Sequence, residues 1–265
     1  MPAGSDPSPR AYLVDLDGTL YAEGAAFPGA AEALQRLRLR GVPFRLVTNT
    51  TSRSRAMLLE RLLDYGFEVV AQDIFTATIA GRDLARQIGH MRVAPFTPEP
   101  ALGDLEPLEL IGGTSGRVAR QTPDAILVGD LGESWNYRLM QEAFEYLMQG
   151  AELIAFSRDK YWLHQGRLAL DAGPFVAGLE YASGKAARVA GKPSADFFAA
   201  AVRSLGSVSP EQVAMVGDDL ASDVQGAQRA GLRGWLVRTG KFRPSDLSAS
   251  AITPDRVLDS IAALE

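Results

Sequence analysis

Near each end of this chain an apolar run too short for a helix stops at a polar cluster that holds two carboxylates and a glycine. Residues 11–14 lead into Asp15-Leu16-Asp17-Gly18 and Thr19, and residues 213–216 lead into Gly217-Asp218-Asp219. Runs of that length beside a glycine turn signal read as buried strands. Behind the first, residues 30–40 place Ala31, Leu34 and Leu37 at helical spacing until Gly41. A second strand over 44–47 ends at Thr48-Asn49-Thr50-Thr51, and a Leu-rich helix over 54–65 is closed by Gly66. Near the other end, 221–230 reads as a helix ended by Gly231 and 235–237 as a further strand. This alternation predicts an α/β fold whose core is a doubly wound, Rossmann-like parallel sheet with right-handed crossovers, shared by both ends of the chain.

The residues between carry a pattern of their own. Strands are expected at 125–128 and 153–155 and a helix at 136–149, so an inserted α/β domain is the economical explanation. The expected division is a discontinuous core at 11–78 and 182–265 with an insert at 79–181. The Pro- and acid-rich segment 95–107 and the Gly-rich segment 112–116 read as loops. The latter lacks both the lysine of a P-loop and the spacing of a dinucleotide fingerprint. Residues 1–10, rich in Pro and Ser, read as a mobile tail.

Composition narrows the chemistry. With 265 residues, 46% of them hydrophobic, the chain has material for a core that needs no covalent staples. It contains no cysteine, which excludes disulfides, thiolate nucleophiles and cysteine-ligated zinc and suits a reducing cytosol. Two histidines exclude a multi-histidine metal site within one chain. A net charge of -5 without any Lys/Arg block argues against general nucleic-acid binding. No apolar stretch approaches the roughly 20 residues of a membrane span, and residues 1–10 lack a secretory apolar segment. A cytoplasmic protein with no membrane partner is expected.

If residues two apart on a strand face the same way, Asp15 and Asp17 are aimed together at the carboxyl edge of the sheet, where open parallel sheets bind ligands. Carboxylates so placed repel unless a cation lies between them, and oxygen-only ligands favour Mg2+ over zinc. Three further clusters accompany them: Thr48–Thr51, Gly191-Lys192-Pro193, and Gly217-Asp218-Asp219 with Asp223. Each has a plainer reading alone: an acidic turn, a strand-to-helix cap at Thr48-Asn49, a solvated lysine in a turn at Lys192. Together they supply a nucleophilic carboxylate, phosphate-oxygen donors, a cation and metal-binding acids, the inventory of phosphoryl transfer.

In order and spacing these clusters resemble the four motifs of the haloacid dehalogenase (HAD) superfamily of phosphatases. Asp15, Asp17, Gly18 and Thr19 match the first, Thr48-Asn49 the second, Lys192 the third, and Asp218 with Asp223 the fourth. The position of the insert resembles the type IIA, NagD-like branch, which carries an α/β cap. The runs Gly173-Pro174-Phe175, Leu179-Glu180-Tyr181-Ala182, Gly191-Lys192-Pro193-Ser194 and Arg238-Thr239-Gly240-Lys241-Phe242-Arg243 are similar to those of phospholysine phosphohistidine inorganic pyrophosphate phosphatases.

The resemblance implies a Mg2+-dependent phosphatase acting on a small phosphorylated metabolite. Asp15 is implied as the nucleophile that forms an aspartyl-phosphate, with Asp17 as acid and then base. Asp15, the Asp17 main-chain carbonyl and Asp218 are the implied metal ligands. The Thr48 hydroxyl, the Asn49 main-chain amide and Lys192 are the implied substrate contacts, and Gly18, Asp219 and Asp223 have supporting places. Six-coordinate Mg2+ that keeps waters has no room for Asp218, Asp219 and Asp223 together. A phosphomutase or phosphotransferase on the same core, or a non-catalytic phosphate-binding scaffold, are the alternatives. Arg158, Lys160, Tyr161, Trp162 and His164 in the cap are candidates for reading the leaving group, and a homodimer through the cap is implied by analogy.

Overall fold

The computed structural model describes residues 8–164 and 167–264. The described chain divides into two compact units, one made of Thr48–Leu58 and Phe75–Phe197 and the other of the remaining residues.

In the first unit Ala11–Asp15 is buried along its whole length and pairs in parallel on both sides, with Val213–Gly217 and with Phe44–Thr48. A strand covered on both faces has no solvent side to alternate with, which is why Ala-Tyr-Leu-Val reads as a continuous apolar run. The sheet has six strands, in the order Arg256–Leu258, Arg233–Val237, Val213–Gly217, Ala11–Asp15, Phe44–Thr48, Ile74–Thr76. Numbered along the chain within this sheet, the order is 3-2-1-4-5-6 read from the Ile74–Thr76 edge. The order therefore reverses between Ala11–Asp15 and Val213–Gly217, and ligands of doubly wound sheets bind beyond the carboxyl ends at such a reversal. Asp15 and Asp218 both stand at that point. Tyr12 and Trp235 lock the strands edge to face at 5.7 Å.

Helices Ala30–Leu39 and Arg55–Asp64 form where their spacing predicts them. The expected helix over 221–230 differs: a π-turn, Leu220–Gln225, precedes a short α-helix, Gly226–Arg229. The N–H groups of Asp223 and Val224 both reach the Asp219 carbonyl there, at 3.0 and 3.2 Å. Such turns recur at functional sites because they re-aim side chains. At the other end of the chain, residues 1–7 lie outside the described residues, but Pro9 is buried and the Arg10 N–H donates to the Gln212 carbonyl at 2.7 Å.

The second unit holds a five-stranded parallel sheet in the order Arg188–Val189, Glu152–Ala155, Ala125–Val128, Arg92–Phe96, Glu109–Leu110. The insert read from sequence at 79–181 falls inside this unit, which also takes in 75–78, 182–197 and 48–58. Its core stacks Trp135 between Phe96, at 6.0 Å, and Phe175, at 4.8 Å. The segment expected as a loop at 95–107 completes a strand with Pro95 and Phe96 and then forms a 3-10 helix, Glu99–Leu105. Ala101 and Leu105 are buried there, and Pro100 lies in its first turn, where a missing N–H costs nothing. Among the described residues no helix is long and apolar enough to cross a membrane.

Leu13 is fully buried at the centre of the first sheet, opposite Met215 and Arg45. Leu13→Ala is expected to cost about 2–5 kcal/mol, read as a lower urea midpoint at unchanged slope.

Candidate active site

Asp15 closes the central strand, Asp218 follows Val213–Gly217, and Asp223 is carried by the π-turn. All three are buried, and each offers a carboxylate oxygen within 4.8 Å of the other two. Burial first, then the charges of Asp15 and Asp223, push the Asp218 carboxyl up to about 8. Asp218 Oδ1 is buried with no hydrogen-bond partner. Crowded carboxylates withdrawn from water and one orphaned oxygen are an unfavourable set on their own, and a divalent cation relieves both costs. The donors are all oxygen, so the residues present fit a hard cation such as Mg2+.

The strand ends at Asp15, so Asp17 does not share a strand face with it. The N–H groups of Thr19, Leu20 and Tyr21 turn back to the Leu16 carbonyl at 3.2, 2.9 and 3.4 Å, and Gly18 adopts φ 84. Asp15 is consequently buried and Asp17 exposed, and the carboxylate of Asp17 is not one of the three clustered acids. Asp223, expected in a supporting place, supplies the third carboxylate, and its Oδ2 also accepts the Asp219 N–H at 3.2 Å. Gly217 makes room for it, since a Cβ there would lie 2.1 Å from Asp223 Oδ2.

Asp219 is outside the cluster. Its Oδ1 accepts the Ala221 and Ser222 N–H groups at 3.0 and 2.9 Å, and its Oδ2 meets Lys241 Nζ at 3.1 Å. Burial disfavours the Asp219 charge, but Lys241 and the two N–H groups prevail and hold the carboxyl below its ordinary value. Lys241 moves in the opposite sense, raised by Asp219, Asp218 and Asp15 against its own desolvation.

In the second unit Thr48 is buried, and its hydroxyl accepts the Thr50 N–H at 3.1 Å. Asn49 uses its side chain in a way the sequence did not indicate. Its Oδ1 accepts the Lys192 N–H at 2.8 Å, and its Nδ2 donates to the Lys192 carbonyl at 2.9 Å and to Asp159 Oδ2 at 3.3 Å. The amide thus grips the main chain on both sides of a lysine whose side chain is buried, and joins the second and third motifs. Gly191 permits the grip, because a Cβ there would lie 2.2 Å from the Phe156 carbonyl and 2.7 Å from Asn49 Oδ1.

The candidate specificity residues have separate contacts. Arg158 is paired with Glu180 at 2.7 Å, Trp162 hydrogen-bonds to Asp130, and Tyr161 is exposed. Lys160 receives the Asp171 N–H on its carbonyl at 3.3 Å, and the His164 side chain lies outside the described residues.

Residues 12–106 match a family model described as haloacid dehalogenase-like hydrolase, and residues 189–264 match one described as HAD-hydrolase-like. The chain is 43% identical over 237 residues to haloacid dehalogenase-like hydrolase domain-containing protein 2 of Bos taurus, covering 89% of this chain and 87% of that protein. It is 36% identical over 259 residues to the phospholysine phosphohistidine inorganic pyrophosphate phosphatase of Homo sapiens, covering 96% and 92%. The structure of NagD from E. coli K-12 superposes with a TM-score of 0.85 at 26% identity over 98% of this chain and 99% of that one.

The raised Asp218 carboxyl sets a sign for pH dependence. Its folded value of about 8 exceeds the ordinary 3.8, so the folded state keeps a proton that the unfolded chain releases. That contribution is complete at low pH and is lost as pH rises through the interval. With a chelator present, the wild-type melting temperature should fall between about pH 5 and about pH 8. Asp218→Asn should flatten that fall and melt above wild type at the upper end, both read by calorimetry.

Proposed function

Because the chain belongs to the haloacid dehalogenase-like hydrolase family, in its NagD-like phosphatase branch, we propose that it hydrolyses small phosphorylated metabolites in a Mg2+-dependent reaction through an aspartyl-phosphate on Asp15. The observation that carries this reading is the buried Asp15, Asp218 and Asp223 triplet at the reversal point of the parallel sheet. A carboxylate meeting a phosphate dianion is opposed by like charge, and Asp15, Asp218 and the Asp17 main-chain carbonyl would hold Mg2+, which would supply the neutralising charge. The positions of Gly18 and Asp223 support this set.

In the first step an Asp15 carboxylate oxygen forms a bond to phosphorus while the bond from phosphorus to the leaving oxygen breaks. Asp17 donates its proton to that oxygen. In the second step water attacks the same phosphorus, the Asp15 oxygen leaves as carboxylate, and Asp17 takes the proton from the water. Thr48, the Asn49 amide and Lys192 bind the phosphoryl oxygens in this reading, with Asn49 also fixing the Lys192 main chain. Residues 79–181 act as the cap that excludes water and selects the leaving group.

Asp15→Asn is expected to abolish hydrolysis of an aryl phosphate in Mg2+ with an unchanged circular dichroism spectrum, and retained turnover would overturn the nucleophile. Asp17→Asn should lower kcat by roughly 10²- to 10⁴-fold. A sugar phosphate should yield inorganic phosphate, and return of an isomeric sugar phosphate would mark a mutase instead.

A further inference from the structure

We propose that the turn Thr239-Gly240-Lys241 is a positioning element for Asp218, anchoring one carboxylate oxygen through main-chain contacts so that the other is left to the cation. The inference rests on the proposed Mg2+ site held by Asp15, Asp218 and the Asp17 main-chain carbonyl, with Asp223 beside it in a supporting place, and it gives a task to a run that none of the four motifs includes.

The two oxygens of Asp218 have different surroundings. Oδ2 accepts the Lys241 N–H at 2.6 Å, a short bond of the charge-assisted kind. Oδ1 is buried and has no hydrogen-bond partner. Oδ2 lies in a slot between two stretches of main chain, because a Cβ on either Gly18 or Gly240 would stand 2.0 Å from it. Both glycines have left-handed φ, 84 and 59, so space and backbone conformation each exclude a side chain.

The slot is tied together. Thr239 Oγ1 donates to the Gly18 carbonyl at 2.6 Å, linking the turn to the loop after the nucleophile strand. The Phe242 N–H closes the turn onto the Thr239 carbonyl at 3.2 Å. From outside, the Arg243 guanidinium donates to the carbonyls of Gly240, Lys241 and Phe242 at 3.3, 3.2 and 2.9 Å.

A carboxylate free to turn would swing away from Asp15 and Asp223 and relieve the repulsion. Holding Oδ2 prevents that escape and keeps Oδ1 where its unmet demand favours a cation. The device is a main-chain one, since Lys241 contributes its N–H while its exposed ammonium pairs with Asp219. Partners that orient a ligand in this way typically change metal affinity by about 10- to 100-fold when removed.

The test is a calorimetric titration of the full chain with MgCl2 alone, without substrate, below the melting temperature of every variant in chelator. Gly240→Ala should weaken Mg2+ binding about tenfold or more. Thr239→Val should weaken it several-fold, with Thr239→Ser restoring it, and this pair carries the test if Gly240→Ala does not fold. Lys241→Ala keeps the main-chain donor and should stay within about twofold of wild type. Wild-type affinity in both Gly240→Ala and Thr239→Val would overturn the inference alone, by showing the turn to be purely structural. A loss in Lys241→Ala equal to that in Gly240→Ala would move the effect to the ammonium and overturn the main-chain assignment. Failure of the wild type to bind Mg2+ would overturn the cation site and this inference with it.

Discussion

Mutual repulsion among three buried carboxylates is the constraint around which the first unit is arranged. Asp15, Asp218 and Asp223 present oxygens within 4.8 Å of one another at the edge where the strand order reverses. Asp15 and Asp218 are held together because the strands that lead to them are buried and cannot move apart without losing the core, and the π-turn brings Asp223 to them. The rigidity of Ala11–Asp15 and Val213–Gly217, paired residue for residue, is what keeps Asp15 and Asp218 close. In the proposed chemistry a cation would turn that repulsion into binding, and the same charge would allow a carboxylate to approach phosphate.

Around the acids the chain relies on absent side chains. Gly18 and Gly240 flank Asp218 Oδ2, and Gly217 makes way for Asp223. Close approach of main chain to carboxylate satisfies some oxygens with N–H groups and leaves others unmet, which separates structural from ligand-facing atoms within one residue. The π-turn serves the same end, bringing Asp223 inward while Asp219 caps the turn and pairs with Lys241.

The second unit uses a comparable economy. One side-chain amide, Asn49, holds the main chain on both sides of Lys192 and reaches Asp159 as well. In the proposed chemistry the lysine is therefore set by a neighbouring motif. Arg158, paired with Glu180, and Trp162, bonded to Asp130, are tied into this unit's own structure, whereas Lys160 and Tyr161 are exposed.

Periodicity alone revealed the alternating strands and helices, because burial on both faces forces continuous apolar runs and helix packing forces its own spacing. It also marked Asp15 and Asp218, since polar residues directly after such runs must stand at a sheet edge or in the turn beyond it, whereas Lys192 was marked only by the resemblance of its motif. It misjudged the partnership of Asp15 and Asp17, because a strand's two-residue repeat was extended one turn too far, past the point where Gly18 bends the chain. The roles of Thr239, Gly240 and the Asn49 side chain were not legible. Each depends on a contact between segments far apart in sequence, such as Thr239 with Gly18 or Asn49 with Lys192. Sequence by itself determined which residue types stand at the ends of which strands. Tertiary structure decided which oxygens face one another, which are anchored and which are left unmet, because those outcomes are set by distances that no local pattern encodes.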